Sequence, residues 1–164
     1  MSTASPSAFT RGSTRDSTRD STRGWTRGAT DTPRGSSAAV LDLLAAAQRG
    51  LTEAVLESRA SRRYAVAHLA ALRAAAAVLA TRARPTGRRG PRSAWDLLAQ
   101  AAPELAEWAA FFAAGAGKRA AAEAGLDAVT PREADDLLRD VETFLALAGT
   151  TVGVPHQTAL PRVS

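Results

Sequence analysis

Residues 61–84 read SRRYAVAHLAALRAAAAVLATRAR, and Pro85 follows. Alanine loses no side-chain entropy on entering a helix, and leucine and arginine lose little. The run therefore predicts a helix over roughly 61–83. Arg84 ends it, because a residue before proline avoids the helical region. Alanine makes up 39 of the 164 residues, against 4 Phe, 3 Trp and 1 Tyr, which extends the helical bias to the whole chain. Small side chains let helices approach closely. The expected core is thin, and its few large residues matter greatly.

Caps and spacing give the other elements. Helix one begins near Ser36 and Ser37, which can cap an N-terminus. It sets Leu41, Leu44, Leu51 and Val55 on one stripe. Helix three starts at Ser93 with Asp96 three residues on. Trp95, Leu98 and Ala102 continue its stripe until Pro103 removes a backbone donor. Helix four, PELAEWAAFFAAGAGKRAAAEAG, starts on proline and ends on glycine. Leu105, Trp108 and Phe112 share one of its faces, and Phe111 lies to the side as a candidate interface anchor. In Thr130-Pro131-Arg132-Glu133, Thr caps, Pro takes the first helical position and Glu reaches back to the cap amide. Helix five then turns Ala134, Leu137, Leu138, Val141, Phe144 and Leu145 inward. No stretch alternates with period two for long enough to be a strand.

The expected fold is all-α: an up-and-down antiparallel bundle of four to five helices over 36–148. Disordered tails are expected at 1–35 and 149–164. In the first, RGSTRDSTRDSTRGWTRG repeats a four-residue unit with almost nothing but Trp25 to bury, too little to offset its ordering entropy. That arm carries six Arg against three Asp.

The absence of cysteine excludes disulfides, thiolate catalysis and cysteine-ligated zinc, and fits a reducing cytoplasm. No basic-then-apolar signal opens the chain. The longest strongly apolar run, WAAFFAAGAG at 108–117, falls short of the ~20 residues a bilayer demands. A soluble cytoplasmic protein is expected, with no membrane partner. The net charge is +5, with 20 Arg to 1 Lys. Residues 58–95 hold nine Arg and no acid, while 96–142 hold ten acids and four bases, a balance of −6. Neighbouring helices or two copies can neutralise one another. Alternatively, the basic edge holds an anion. Arg88, Arg89 and Arg92 are the candidate phosphate contacts there, because they precede a helix N-terminus.

GAGKR at 115–119 lacks both the earlier glycine and the Ser or Thr of a phosphate-binding loop. His68 and His156 lie far apart, with no carboxylate at ligand spacing, so neither a metal nor another cofactor is expected. Asp135, Asp136 and Asp140 read as a solvated face. That leaves SRRYAVAH at 61–68. Arg63 and His68 stand at the spacing Arg-x4-His, with Arg62 as the alternate. Residues five apart on a helix differ by about 140° around its axis. A helix already running through Arg63 points that residue and His68 to different faces, and His68 then lines up with Tyr64, Leu72, Ala75 and Leu79. Two readings stand: a neutral histidine at the core edge, or a pair completed just before the helix or by a second chain.

The run from LDLLAAAQRGL through RRYAVAHLAALRAAAAVLATRARP, PRSAWDLLAQAAPELAEWAAFFAAGAGKRAAAEAG and TPREADDLLRDVETFL resembles a small actinobacterial family of HEPN (higher eukaryotes and prokaryotes nucleotide-binding) domains over roughly 38–148. The resemblance implies a helical bundle that often forms a homodimer. Many members cut RNA without metal through an Arg-x(4–6)-His motif lining a cleft between protomers. Others are silent scaffolds. They serve in toxin–antitoxin, anti-phage or stress systems, often beside a nucleotidyltransferase. Carried over, Arg63 or Arg62 would hold the scissile phosphate, and His68 would act as general acid or base or orient the 2′-hydroxyl. In active members the motif usually opens a late helix, whereas here it lies on the second. The expected function is a non-catalytic or RNA- or nucleotide-associated helical module. The alternative is a metal-independent ribonuclease.

Overall fold

A computed structural model describes residues 32–82 and 93–153. It contains α1 (Thr32–Leu56), α2 (Ala60–Thr81), α3 (Ala94–Ala101), α4 (Ala106–Glu123) and α5 (Pro131–Thr151), with a 3-10 turn at Pro103–Leu105 leading into α4. No strand occurs among the described residues. The chain is an all-α helical bundle.

Helix α2 lies at the centre and packs against α1, α3, α4 and α5. Its sequence makes that possible. Seven of its ten buried residues are alanine, so its cross-section is narrow and neighbours can close on several sides. At Gly50 of α1 a Cβ atom would stand 3.2 Å from the Ala70 Cβ, which puts the two helices at glycine–alanine distance. Alanines bury little area each, at about 25 cal/mol per Å². Bulk comes from an aromatic cluster joining α3, α4 and α5. Trp95 stacks on Phe112 at 5.0 Å, Phe112 meets Phe144 at 5.0 Å, and Trp108 meets Phe144 at 5.8 Å.

Both expected capping boxes form. The Asp96 amide donates to Ser93 Oγ at 3.1 Å and the Ser93 amide to Asp96 Oδ2 at 3.0 Å. Thr130 and Glu133 repeat the arrangement around Pro131. Helix α4 ends in a left-handed turn at Gly125, with φ at +79°. There the Leu126 amide bonds Ala121 and the Gly125 amide bonds Ala122, the double closure that glycine permits at a helix C-terminus.

Helix α1 departs from expectation twice. It begins at Thr32, upstream of Ser36 and Ser37, so residues 32–35, expected in the arm, are helical; α5 likewise runs past 148 to Thr151. Its buried stripe is Val40, Ala47, Leu51 and Ala54, while Leu41 and Val55 are exposed. The wider leucine stripe cannot face an alanine-rich partner as closely as Ala47, Gly50 and Ala54 do. Helix α2 is also long and apolar enough, by length and composition, to cross a bilayer, a property hidden when only runs without a polar break are counted. In the bundle four helices flank it. Residues 1–31 and 154–164 of the expected tails, and Arg88, Arg89 and Arg92, lie outside the described residues.

The charge partition resolves partly into neutralisation between helices. Arg63 of the basic stretch pairs with Asp135, and Arg82 pairs with Glu104. Lys118 pairs with Glu133, so GAGKR is a helical segment tied to α5.

Candidate functional site

The imidazole of His68 is 1% exposed. Tyr64, one turn earlier, lies 6.3 Å from it, ring to ring. Trp95 of α3 presents an edge at 5.6 Å and Phe112 of α4 an edge at 5.8 Å. Nε2 lies 2.8 Å from the Phe112 carbonyl oxygen. A carbonyl only accepts, so Nε2 carries the proton and donates. Nδ1 is buried and has no hydrogen-bond partner among the described residues. The neutral Nε2–H tautomer fits this enclosure, because a second proton on Nδ1 would leave a buried donor unmatched. Burial pulls the His68 pKa below its usual 6.5; the bond to Phe112 opposes, and the paired charges of Arg119 and Glu123 act in opposite directions.

The approach of α4 that makes the bond depends on Gly115. A Cβ there would lie 2.7 Å from the Tyr64 hydroxyl and 3.5 Å from His68 Nε2. Phe112, Arg119 and Glu123 follow one another along one α4 face, which sets the Arg119–Glu123 ion pair on the same side of the helix as Phe112.

The two arginines of SRRYAVAH have other attachments. Since α2 begins at Ala60, Arg63 is inside the helix and turns away from His68, as the 140° offset requires. Its Nε donates to the Glu57 carbonyl at 2.9 Å, and its Nη1 pairs with Asp135 of α5. It therefore ties the α1–α2 turn to α5. Arg62 is exposed, 2.8 Å from Glu57 and 3.8 Å from Glu53. Within this chain neither arginine joins His68. The charges that bear on the imidazole, those of Arg119 and its ion-pair partner Glu123 on α4, oppose each other. The residue missed by close sequence spacing is Phe112, whose carbonyl accepts from His68 Nε2 across 44 residues of sequence.

The acidic cluster on α5 pairs locally. Asp136 bonds Arg139 and lies 3.8 Å from Arg132. Asp140 is raised above the usual carboxylate value, first by partial burial and then by Asp136. Among the described residues no group of three or more His, Asp or Glu is placed to hold a metal.

A family model described as HEPN-like matches residues 54–148. The match runs from the last turn of α1 almost to the end of α5 and covers the whole of the His68 enclosure. The chain belongs to this HEPN family. No curated protein and no solved structure matches it significantly.

Proposed function

We propose that this HEPN chain works by binding, as a cytoplasmic homodimeric module in a bacterial stress or defence setting, and not by cutting RNA. The observation that carries the reading is the state of His68. A general acid or base must reach the proton it moves. This imidazole is wrapped by Tyr64, Trp95 and Phe112 and spends its one donor on a backbone carbonyl. Arg63, the residue the family pattern would set against phosphate, is committed to Glu57 and Asp135. Self-association is supported by α4, whose Phe111 is 45% exposed between exposed Ala110 and exposed Ala113 and Ala114. Exposed Glu107 and Lys118 bound that apolar patch at its two ends.

The test is incubation of purified full-length protein with RNA in EDTA. No cleavage above a buffer control is expected, and Arg63→Ala and His68→Gln, which keeps a donor for Phe112, should look identical to the parent. Cleavage by the parent that disappears in a folded His68→Gln protein overturns the reading. Light scattering of Phe111→Glu should report a monomer where the parent reports a dimer.

A further inference from the structure

Helix α4 buries Ala109 and Phe112 and packs against α2 and α3. Its opposite face carries Glu107, Phe111, Ala114 and Lys118, all exposed, at spacings of four, three and four. That is the spacing of a coiled-coil seam, and among the described residues no helix of the chain covers it. We infer that this stripe is the seam of a two-fold dimer. In it α4 of one protomer lies antiparallel on α4 of its partner, with Glu107 of each against Lys118 of the other.

The order of residues gives the register. A two-fold axis between antiparallel helices sets residues at equal distances on either side of it level with each other. Glu107 and Lys118 are centred between Phe112 and Ala113, and so are Phe111 and Ala114. One axis at that point therefore places Glu107 level with the partner's Lys118, and Phe111 level with the partner's Ala114, twice over. Charge and size both match: acid meets base, and a large ring meets a methyl group. Parallel packing would set like charges level at both ends, which is repulsive. An unrelated helix has no reason to match both levels, so the occupant is a second copy of this chain.

The side chains are placed for these roles. Phe111 is 45% exposed, and its ring stands edge-on to Phe112 at 5.1 Å and to Trp108 at 6.1 Å, which fixes it as an apolar knob. Glu107 enters none of the ion pairs among the described residues. Lys118 pairs with Glu133, yet its side chain is 48% exposed. An ammonium has three donors, so it can take a second carboxylate. On one flank of the seam Ala110 and Gly117 let the backbones come close, and a Cβ at Gly117 would meet nothing within 4 Å. The seam runs only about 16 Å at 1.5 Å per residue, so association is expected to depend on concentration.

This inference rests on the self-association proposed above and adds its orientation and register. Sedimentation velocity of the full chain over a concentration series would compare the parent, Glu107→Lys, Lys118→Glu and an equimolar mixture of the two variants. Each variant alone sets like charges level and should dimerise about tenfold more weakly than the parent. The mixture sets opposite charges level at both ends and should recover the parent's affinity, with unchanged circular dichroism. If Lys118→Glu loses helical signal along with its Glu133 pair, a second measurement decides. The chain has no cysteine, so Glu107→Cys and Lys118→Cys can be mixed under mild oxidation. The mixture should cross-link, and neither variant alone should. Self-cross-linking of either variant, or charge variants that dimerise like the parent both apart and mixed, overturns this register and leaves self-association standing. A parent that stays monomeric overturns both, and leaves the face to a different protein.

Discussion

Gly115 and Tyr64 face each other across the α2–α4 contact with no room for a methyl group between them. A Cβ on Gly115 would lie 2.7 Å from the tyrosine hydroxyl, far inside van der Waals contact. The same closeness lets His68 reach the Phe112 carbonyl at 2.8 Å, so one missing side chain sets the geometry of the enclosure.

Gly115→Ala is accordingly expected to destabilise the fold despite its better helix propensity. Alanine gains about 1 kcal/mol in a helix interior, while overpacking costs about 1–3 kcal/mol. A net loss of up to about 2 kcal/mol should appear in urea unfolding. Because the clash is with the tyrosine oxygen, Tyr64→Phe should recover most of it. A double variant as unstable as the single one would mean that the backbone, not the hydroxyl, sets the separation.

The buried histidine makes stability depend on pH. The folded-state pKa of His68 lies below the usual 6.5, so the unfolded chain takes up the proton first. Its contribution is fully present above 6.5. It is lost as pH falls from there toward the folded value, with a slope of at most about 1.4 kcal/mol per pH unit. Thermal melts of the parent between pH 7.5 and 5 should show this decline, and His68→Gln should flatten it.

Arg63 acts as a structural clip in this fold. Arg63→Ala removes the bond to the Glu57 carbonyl and the pair with Asp135, whose side chain is 53% exposed. A loss of about 1–2 kcal/mol is expected, mostly from the carbonyl bond. A double-mutant cycle with Asp135→Ala should assign the ion pair itself less than about 1 kcal/mol, as solvent screening dictates.

The cap of α5 should govern the acid limb of unfolding. Lys118, then the amide and hydroxyl of Thr130, hold Glu133 at about 2, well below its usual 4.5. That contribution is present above pH 4.5 and lost as pH falls toward 2. Thr130→Ala should cost about 1 kcal/mol at neutral pH and make the decline below pH 4.5 shallower.

Much of this architecture could be read before any coordinates. Ser93 with Asp96 and Thr130 with Glu133 declared themselves because capping is local, a matter of residue type and a three-residue offset. Leu98, Phe112, Val141 and Phe144 went inward as spacing required, because a large apolar residue on a regular stripe has few other places to go. Helix α1 was harder. A hydrophobic stripe weights leucine above alanine, yet the surface meeting α2 is chosen by closeness of approach, and Ala47, Gly50 and Ala54 win it from Leu41 and Val55. The site was legible only in outline. The offset of Arg63 from His68 followed from helix geometry. The pairing of Arg63 with Asp135 and the bond from His68 to the Phe112 carbonyl are contacts between distant segments, set by how helices stack.

The central position of α2 also bears on cooperativity. Neither α1 nor α5, nor the α3–α4 pair, encloses α2 unaided, so a chain cut between α4 and α5 would leave its middle rod stripped along one flank. Intermediates with part of the bundle assembled should be scarce. Melting should register as one transition by tryptophan fluorescence and by helix signal alike, and any nick in the link ahead of Thr130 should cost the whole molecule its order.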